Sequence, residues 1–193
     1  QMKKTFGQQC INLSAGHDLG KAHIDYSAFL SRGNRSDRNY YDRDANSYDM
    51  SEYSRINTVQ QRIDLFYKKF SFTGMMDHYT VLERDGYTNV LETPVQTTFN
   101  SYYFHGKYDL EKGKFHFTSG LKFKQNQPWY TVLKSTMADF PPYNTVVKKN
   151  EAYINGSYDT KNFDLVFGID AYCLIADQKI DSNFFHDGKS RFV

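Results

Sequence analysis

Cysteine is nearly missing: Cys10 and Cys173 are the only two among 193 residues. Two cannot build a disulfide framework or, by themselves, a zinc site. No run of eighteen apolar residues occurs, which excludes a transmembrane helix. Neither charge sign dominates, since 24 Lys and Arg face 22 Asp and Glu for a net charge of +2. That balance excludes a nucleic-acid binder driven by a basic field. No basic stretch followed by an apolar run stands at Gln1, as a signal peptide would require. Gly-x-Ser-x-Gly, His-Glu-x-x-His, a Gly-rich phosphate loop and Cys-x-x-Cys are all missing.

Aromatic residues are plentiful, with 16 Tyr and 16 Phe, and a disordered chain would be poor in them. Their spacing, with that of the aliphatics, has a period of two, the signature of strands with unlike faces. Ile11, Leu13 and Ala15 alternate with Asn12, Ser14 and Gly16. Ala22, Ile24, Tyr26, Ala28 and Leu30 oppose His23, Asp25 and Ser27, and Val59, Ile63, Leu65 and Tyr67 oppose Gln60, Arg62 and Asp64. The pattern repeats at Tyr102–Leu110, Phe115–Lys124, Ala152–Tyr158 and Phe163–Cys173. Segment Phe70–Leu82 is ambiguous, because Phe72 and Met76 compete with Met75, Tyr79 and Val81. Eight strands follow, with a ninth able to begin in 183–193.

Short polar links at Asp18–Gly20, Lys68–Lys69, Leu110–Gly113 and Thr160–Asn162 read as tight turns. Long loops are expected at 31–55, 83–97 and 125–149. Short and long connections alternate strictly, so an up-and-down meander gathers its tight turns at one end and its long loops at the other. Outer-membrane barrels have that asymmetry. One face carries Phe, Leu, Ile, Ala and Tyr; the other carries more charge than a packed core tolerates. A water-soluble barrel could also hold these faces, with its charges outside and an apolar ligand within. Strand length near the 9–11 residues of a membrane crossing and Tyr at strand ends tilt the choice. Glycines on strand faces (Gly74, Gly106, Gly120, Gly156, Gly168) do the same. The expected fold is all-β: an antiparallel up-and-down transmembrane β-barrel of eight or more strands, whole or part of a larger barrel. Residues 1–193 are expected to form a single β-barrel domain or barrel segment.

The unit Tyr103-Phe104-His105-Gly106-Lys107-Tyr108-Asp109, a short turn, then Lys114-Phe115-His116-Phe117-Thr118-Ser119-Gly120-Leu121-Lys122-Phe123 resembles a barrel hairpin of bacterial TonB-dependent outer-membrane receptors. Ala152–Tyr172 has the same shape, and Arg84-Asp85-Gly86-Tyr87 and Pro128-Trp129 are similar to segments of those receptors. The resemblance implies Gram-negative outer-membrane localisation, uptake of a small-molecule or nutrient ligand, contact with outer-membrane lipid, and a TonB-type energy-coupling partner. It also implies a 22-stranded barrel with an N-terminal plug. No plug-like sequence is visible here, and the chain ends Arg191-Phe192-Val193 rather than on an aromatic residue.

Candidate ligand-binding residues lie in the loops: Tyr40, Tyr41, Arg43 and Tyr48 in the first, Trp129, Tyr130 and Tyr143 in the third. Tyr and Trp give large contact area at low entropy cost, and Arg adds directed hydrogen bonds. A self-paired solvated loop and an aromatic anchor at the headgroups are the plainer readings. Arg62, Asp64, His105, Lys107, His116, Lys122 and Asp170 are expected to face the lumen, hydrogen-bonded with Asp25 and Glu151. Asp42-Arg43-Asp44-Ala45-Asn46 spaces oxygen ligands as a calcium loop does, without the sixth-position Gly and twelfth-position Glu of an EF-hand. No metal, cofactor or catalytic residue is assigned; Ser14, His17, His23 and Asp25 could form a hydrolase group only by forcing. Uptake through an outer-membrane barrel leads. A soluble β-barrel binding an apolar ligand is the alternative, and an outer-membrane hydrolase comes third.

Overall fold

The computed structural model describes residues 7–35, 38–51, 53–86, 89–132, 144–178 and 188–192. They form strands β1 (Gln8–Leu19), β2 (Ala22–Asn34), β3 (Asn39–Tyr41), β4 (Ser47–Asp49), β5 (Arg55–Tyr67) and β6 (Phe70–Gly86). The chain continues through β7 (Asn89–Lys112), β8 (Phe115–Val132), β9 (Thr145–Asp159), β10 (Asp164–Gln178) and β11 (Gly188–Phe192). Nine strands make one antiparallel sheet in the order β1-β2-β5-β6-β7-β8-β9-β10-β11, while β3 and β4 form a separate hairpin. The architecture is therefore all-β and up-and-down, as the alternating connections predict. The sheet is open. Among the described residues no pairing joins β1 to β11, so the expected closure into a barrel is not present.

Tight turns join β1 to β2, β5 to β6, β7 to β8 and β9 to β10, all at one end. Gly20 (φ 65°) and Gly113 (φ 62°) supply the left-handed conformation that these turns need. Lys68 adopts it too, at φ 54°. The opposite end differs from expectation. Segment 83–97 is not a loop: β6 runs to Gly86, β7 starts at Asn89, and pairing continues past a register shift between Glu83 and Asp85. Segment 125–149 is strand up to Val132 and again from Thr145, and 133–143 lies outside the described residues. The loop 31–55 contains the β3–β4 hairpin.

Cross-strand pairing fixes which side chains share a face, because the side-chain period is two. Leu13, Ala28 and Gln61 fall in one row; Ala15, Tyr26, Ile63, Gly74, Phe104 and Phe123 fall in the next. On the far side, Phe117, Gly156 and Phe167 are aligned, as are Leu121, Ala152 and Ala171. One face is thus apolar across eight strands, from Ile11 to Ile175. The ambiguous β6 now resolves: Phe72, Gly74 and Met76 join the apolar face, and Met75, Tyr79 and Val81 the other.

This apolar face has no second layer over it. Among the described residues the buried apolar side chains are only Ala28, Met50, Val81 and Val95, and no large side chain is fully buried. Leu121 is 69% exposed and Ile169 78%. The chain exposes 14267 Å², against about 9,500 Å² for a compact monomer of its mass. The excess is that of a single-layer sheet.

Candidate functional site

All seven residues expected to face a lumen stand on the polar face of the sheet. Arg62 donates through Nε and Nη2 to the two oxygens of Asp64 at 2.6 and 3.1 Å, and Thr73 Oγ1 donates to Asp64 Oδ1 at 2.6 Å. Lys107 Nζ lies 2.7 Å from Asp109 Oδ2, whose partner oxygen accepts from Thr118 at 2.7 Å. His105 Nε2 and the Tyr153 hydroxyl are 2.9 Å apart. His116 sits between Glu111 and Asp159, 3.4 Å from each. Asp170 is the cross-strand partner of Tyr153.

Three carboxylates, Glu151, Asp18 and Asp25, organise basic side chains. Glu151 accepts from Lys122 on one oxygen and from Lys149 on the other, the latter at 2.8 Å. Lys122 Nζ also lies 4.6 Å from the centre of the Tyr153 ring. At the turn end His23 bridges Asp18 and Asp25 at 2.6 and 3.0 Å. Sequence reasoning placed the lysines and histidines on one face but did not assign Tyr153, Asp109 or Lys149. The Tyr153 contact comes from register, which brings β9 near β7, while Asp109 and Lys149 pair with neighbours on their own strand or hairpin.

Toward the long-loop end the apolar face stops on β6, β7 and β8, while Ile11, Leu30 and Val59 carry it on in the same row on β1, β2 and β5. Phe72 and Met76 give way to His78 on β6, Phe104 and Tyr102 to Asn100 on β7, and Phe123 to Gln125 and Gln127 on β8. Here a chain of polar side chains crosses the strands on the formerly apolar side. His78 Nδ1 and Asn100 Oδ1 are 2.6 Å apart, Asn100 Nδ2 donates to Gln127 Oε1 at 2.9 Å, and Gln127 Nε2 donates to Asn144 Oδ1 at 3.0 Å. Below this belt the apolar stretch spans nine residues on β8, Phe115–Phe123, and nine on β10, Leu165–Cys173, with Ile175 in the row of Gln125.

Of the loop candidates, Tyr40 and Tyr48 are cross-strand partners in the β3–β4 hairpin, Arg43 lies in its turn, and Tyr41 is exposed. The Asp42 carboxylate is filled by its own loop: Asn46 Nδ2 donates at 3.0 Å, the backbone N–H groups of Asn46 and Asp44 at 2.8 and 3.0 Å, and the Tyr48 hydroxyl at 3.2 Å. It caps a turn instead of presenting calcium ligands. Those hydrogen bonds, the Asn46 side chain's foremost, hold the Asp42 pKa below its ordinary value. Tyr130 is half-buried on β8 opposite Thr98. Trp129 belongs to β8 by its backbone, and Tyr143 lies outside the described residues. Among the described residues no three His, Cys, Asp or Glu side chains gather to hold a metal ion. Cys10 and Cys173 are free thiols on opposite faces of the sheet. Compared with known proteins, the chain matches no family model, no curated protein and no solved structure.

Proposed function

We propose that this chain forms the wall of an outer-membrane β-barrel that binds and takes up a ligand, with its apolar face in lipid and its ion-paired face lining an aqueous lumen. The observation that carries this reading is the limit of the apolar face on β6, β7 and β8. A soluble core has no reason to stop at an amide belt while the strands run on, but a bilayer does, at its headgroups. The nine residues below the belt on β8 and β10 match the ~9–11 residues of a tilted membrane strand. The opposite face carries the ion pairs Arg62–Asp64, Lys107–Asp109 and Lys122–Glu151–Lys149, which a water-lined wall permits and a dry core penalises. The long-loop end, with the β3–β4 hairpin and Tyr130, supplies the capturing surface, and in the receptor-like form a TonB-type protein drives passage.

The test is fractionation of the full-length protein in its cell. Recovery with outer membranes, release only by detergent, and faster gel migration before heating than after support the reading. Release in buffer alone overturns it.

A wide hollow on the apolar face, beside Phe72, Phe104, Leu121, Phe123 and Phe167, favours a second reading. There the chain is a soluble module that closes over an apolar ligand, and a detergent-free preparation binding a fatty acid at this hollow would establish it.

A further inference from the structure

On the polar face, two adjacent cross-strand rows enclose a hollow of about 540 Å³. One row runs Asn12, Phe29, Gln60, Asp77, Ser101 and the other Ser14, Ser27, Arg62, Met75, Tyr103. We infer that this hollow is a binding site for a neutral polyhydroxylated ligand, one or two sugar rings of a glycan. It deepens the uptake reading, on which it rests for the access of this face to an aqueous lumen.

Three observations select that chemistry. Asp77 Oδ1 is shut off from solvent and has no hydrogen-bond partner among the described residues. A buried acceptor left so is costly, and a turn of the Asp77 side chain into the hollow it lines would offer that oxygen to a ligand hydroxyl. The side chains of Asn12, Ser14, Ser27 and Gln60 likewise make no hydrogen bond within the described residues, and together they offer both donors and acceptors, which a ring of hydroxyls needs. Finally, Arg62 is held by both oxygens of Asp64, so the hollow has no unpaired cation to draw an anion. Phe29, Met75 and Tyr103 add apolar surface for the C–H faces of a sugar ring. The volume lies within the range of small-molecule sites.

Calorimetric titration of the full-length protein, in a detergent without a sugar headgroup, tests this with maltose, cellobiose, lactose and chitobiose, and with glucuronate and tetramethylammonium as charged probes. At least one neutral disaccharide should bind. Asp77→Ala and Gln60→Ala should each weaken it about tenfold or more, while Lys161→Ala, exposed in the β9–β10 turn, should not. Heat-modifiable migration reports that each variant has folded. Binding of none of the disaccharides, equal binding by folded variants, or preference for either charged probe overturns the site. A protein soluble without detergent whose disaccharide binding still falls in Asp77→Ala keeps the site and loses the membrane reading.

Discussion

The ring of Tyr153 covers Gly120, its cross-strand partner on the polar face: a Cβ built on that glycine would lie 2.5 Å from three of the ring's outer atoms. The same ring carries the hydroxyl beside His105 and lies under Lys122. Gly120→Ala must therefore push the ring aside and loosen both contacts, at about 1–3 kcal/mol. Added to Tyr153→Ala it should cost far less than alone, because the clash is gone. Urea unfolding in detergent measures both. Gly20→Ala is the contrast: nothing lies within 4 Å of its Cβ, but φ is +65°, so the loss of about 1 kcal/mol comes from backbone strain alone.

Lysine substitutions along β7 and β10 should report depth. Phe104 lies near the middle of its apolar stretch and Ile169 likewise, whereas Leu110 lies beside the tight turn. Phe104→Lys and Ile169→Lys should each cost about 2–4 kcal/mol in a bilayer, and Leu110→Lys only about 0–1. Unfolding titrations in lipid vesicles would show the gradient. Equal losses at all three positions are incompatible with a lipid-facing band.

How far the sequence was legible depended on how unlike the two faces of each strand are. Within the band, unlike faces gave a clear period of two, and seven strands could be read. In β6 the apolar face holds Gly74 at mid-height while Met75 and Tyr79 occupy the other face, so the two patterns nearly cancel. Beyond the polar belt apolar residues are few and fall on both faces (Val81, Val95 and Phe99 on one, Leu82 on the other), so alternation vanishes and the paired strands of 83–97 read as a loop. The hollow was invisible for a different reason. Asn12 and Ser101 share a row only through the register of four successive strand pairings, which no local pattern encodes.

The β3–β4 turn should be acid-sensitive with a definite sign. Hydrogen bonds from Asn46, Tyr48 and Asp44 depress the Asp42 pKa in the folded hairpin. A depressed carboxylate contributes stability above its ordinary pKa and loses it as pH falls through the depressed folded value. Amide exchange at Asp44 and Asn46 should then stay slow from neutral pH down to the ordinary carboxylate range and quicken only below it. Asp42→Ala should exchange fast at every pH. Quickening already near neutral pH would mean that another group controls the turn.

Glu151 holds the basic side of the polar face together. Lys124 and Lys149 are directly opposed across β8 and β9, an arrangement that repels, and Glu151 draws Lys149 and Lys122 to its own two oxygens. Glu151→Gln keeps the shape but removes the charge, leaving three lysines on neighbouring positions. The substitution should lower stability at low salt. Because the loss is mostly repulsion between half-exposed ammonium groups, it should shrink in about 1 M salt, where screening acts over ~3 Å. In a reconstituted bilayer the same substitution should shift the reversal potential toward anions. A stability loss that ignores salt, with no change in selectivity, would place these lysines away from the aqueous side of the wall.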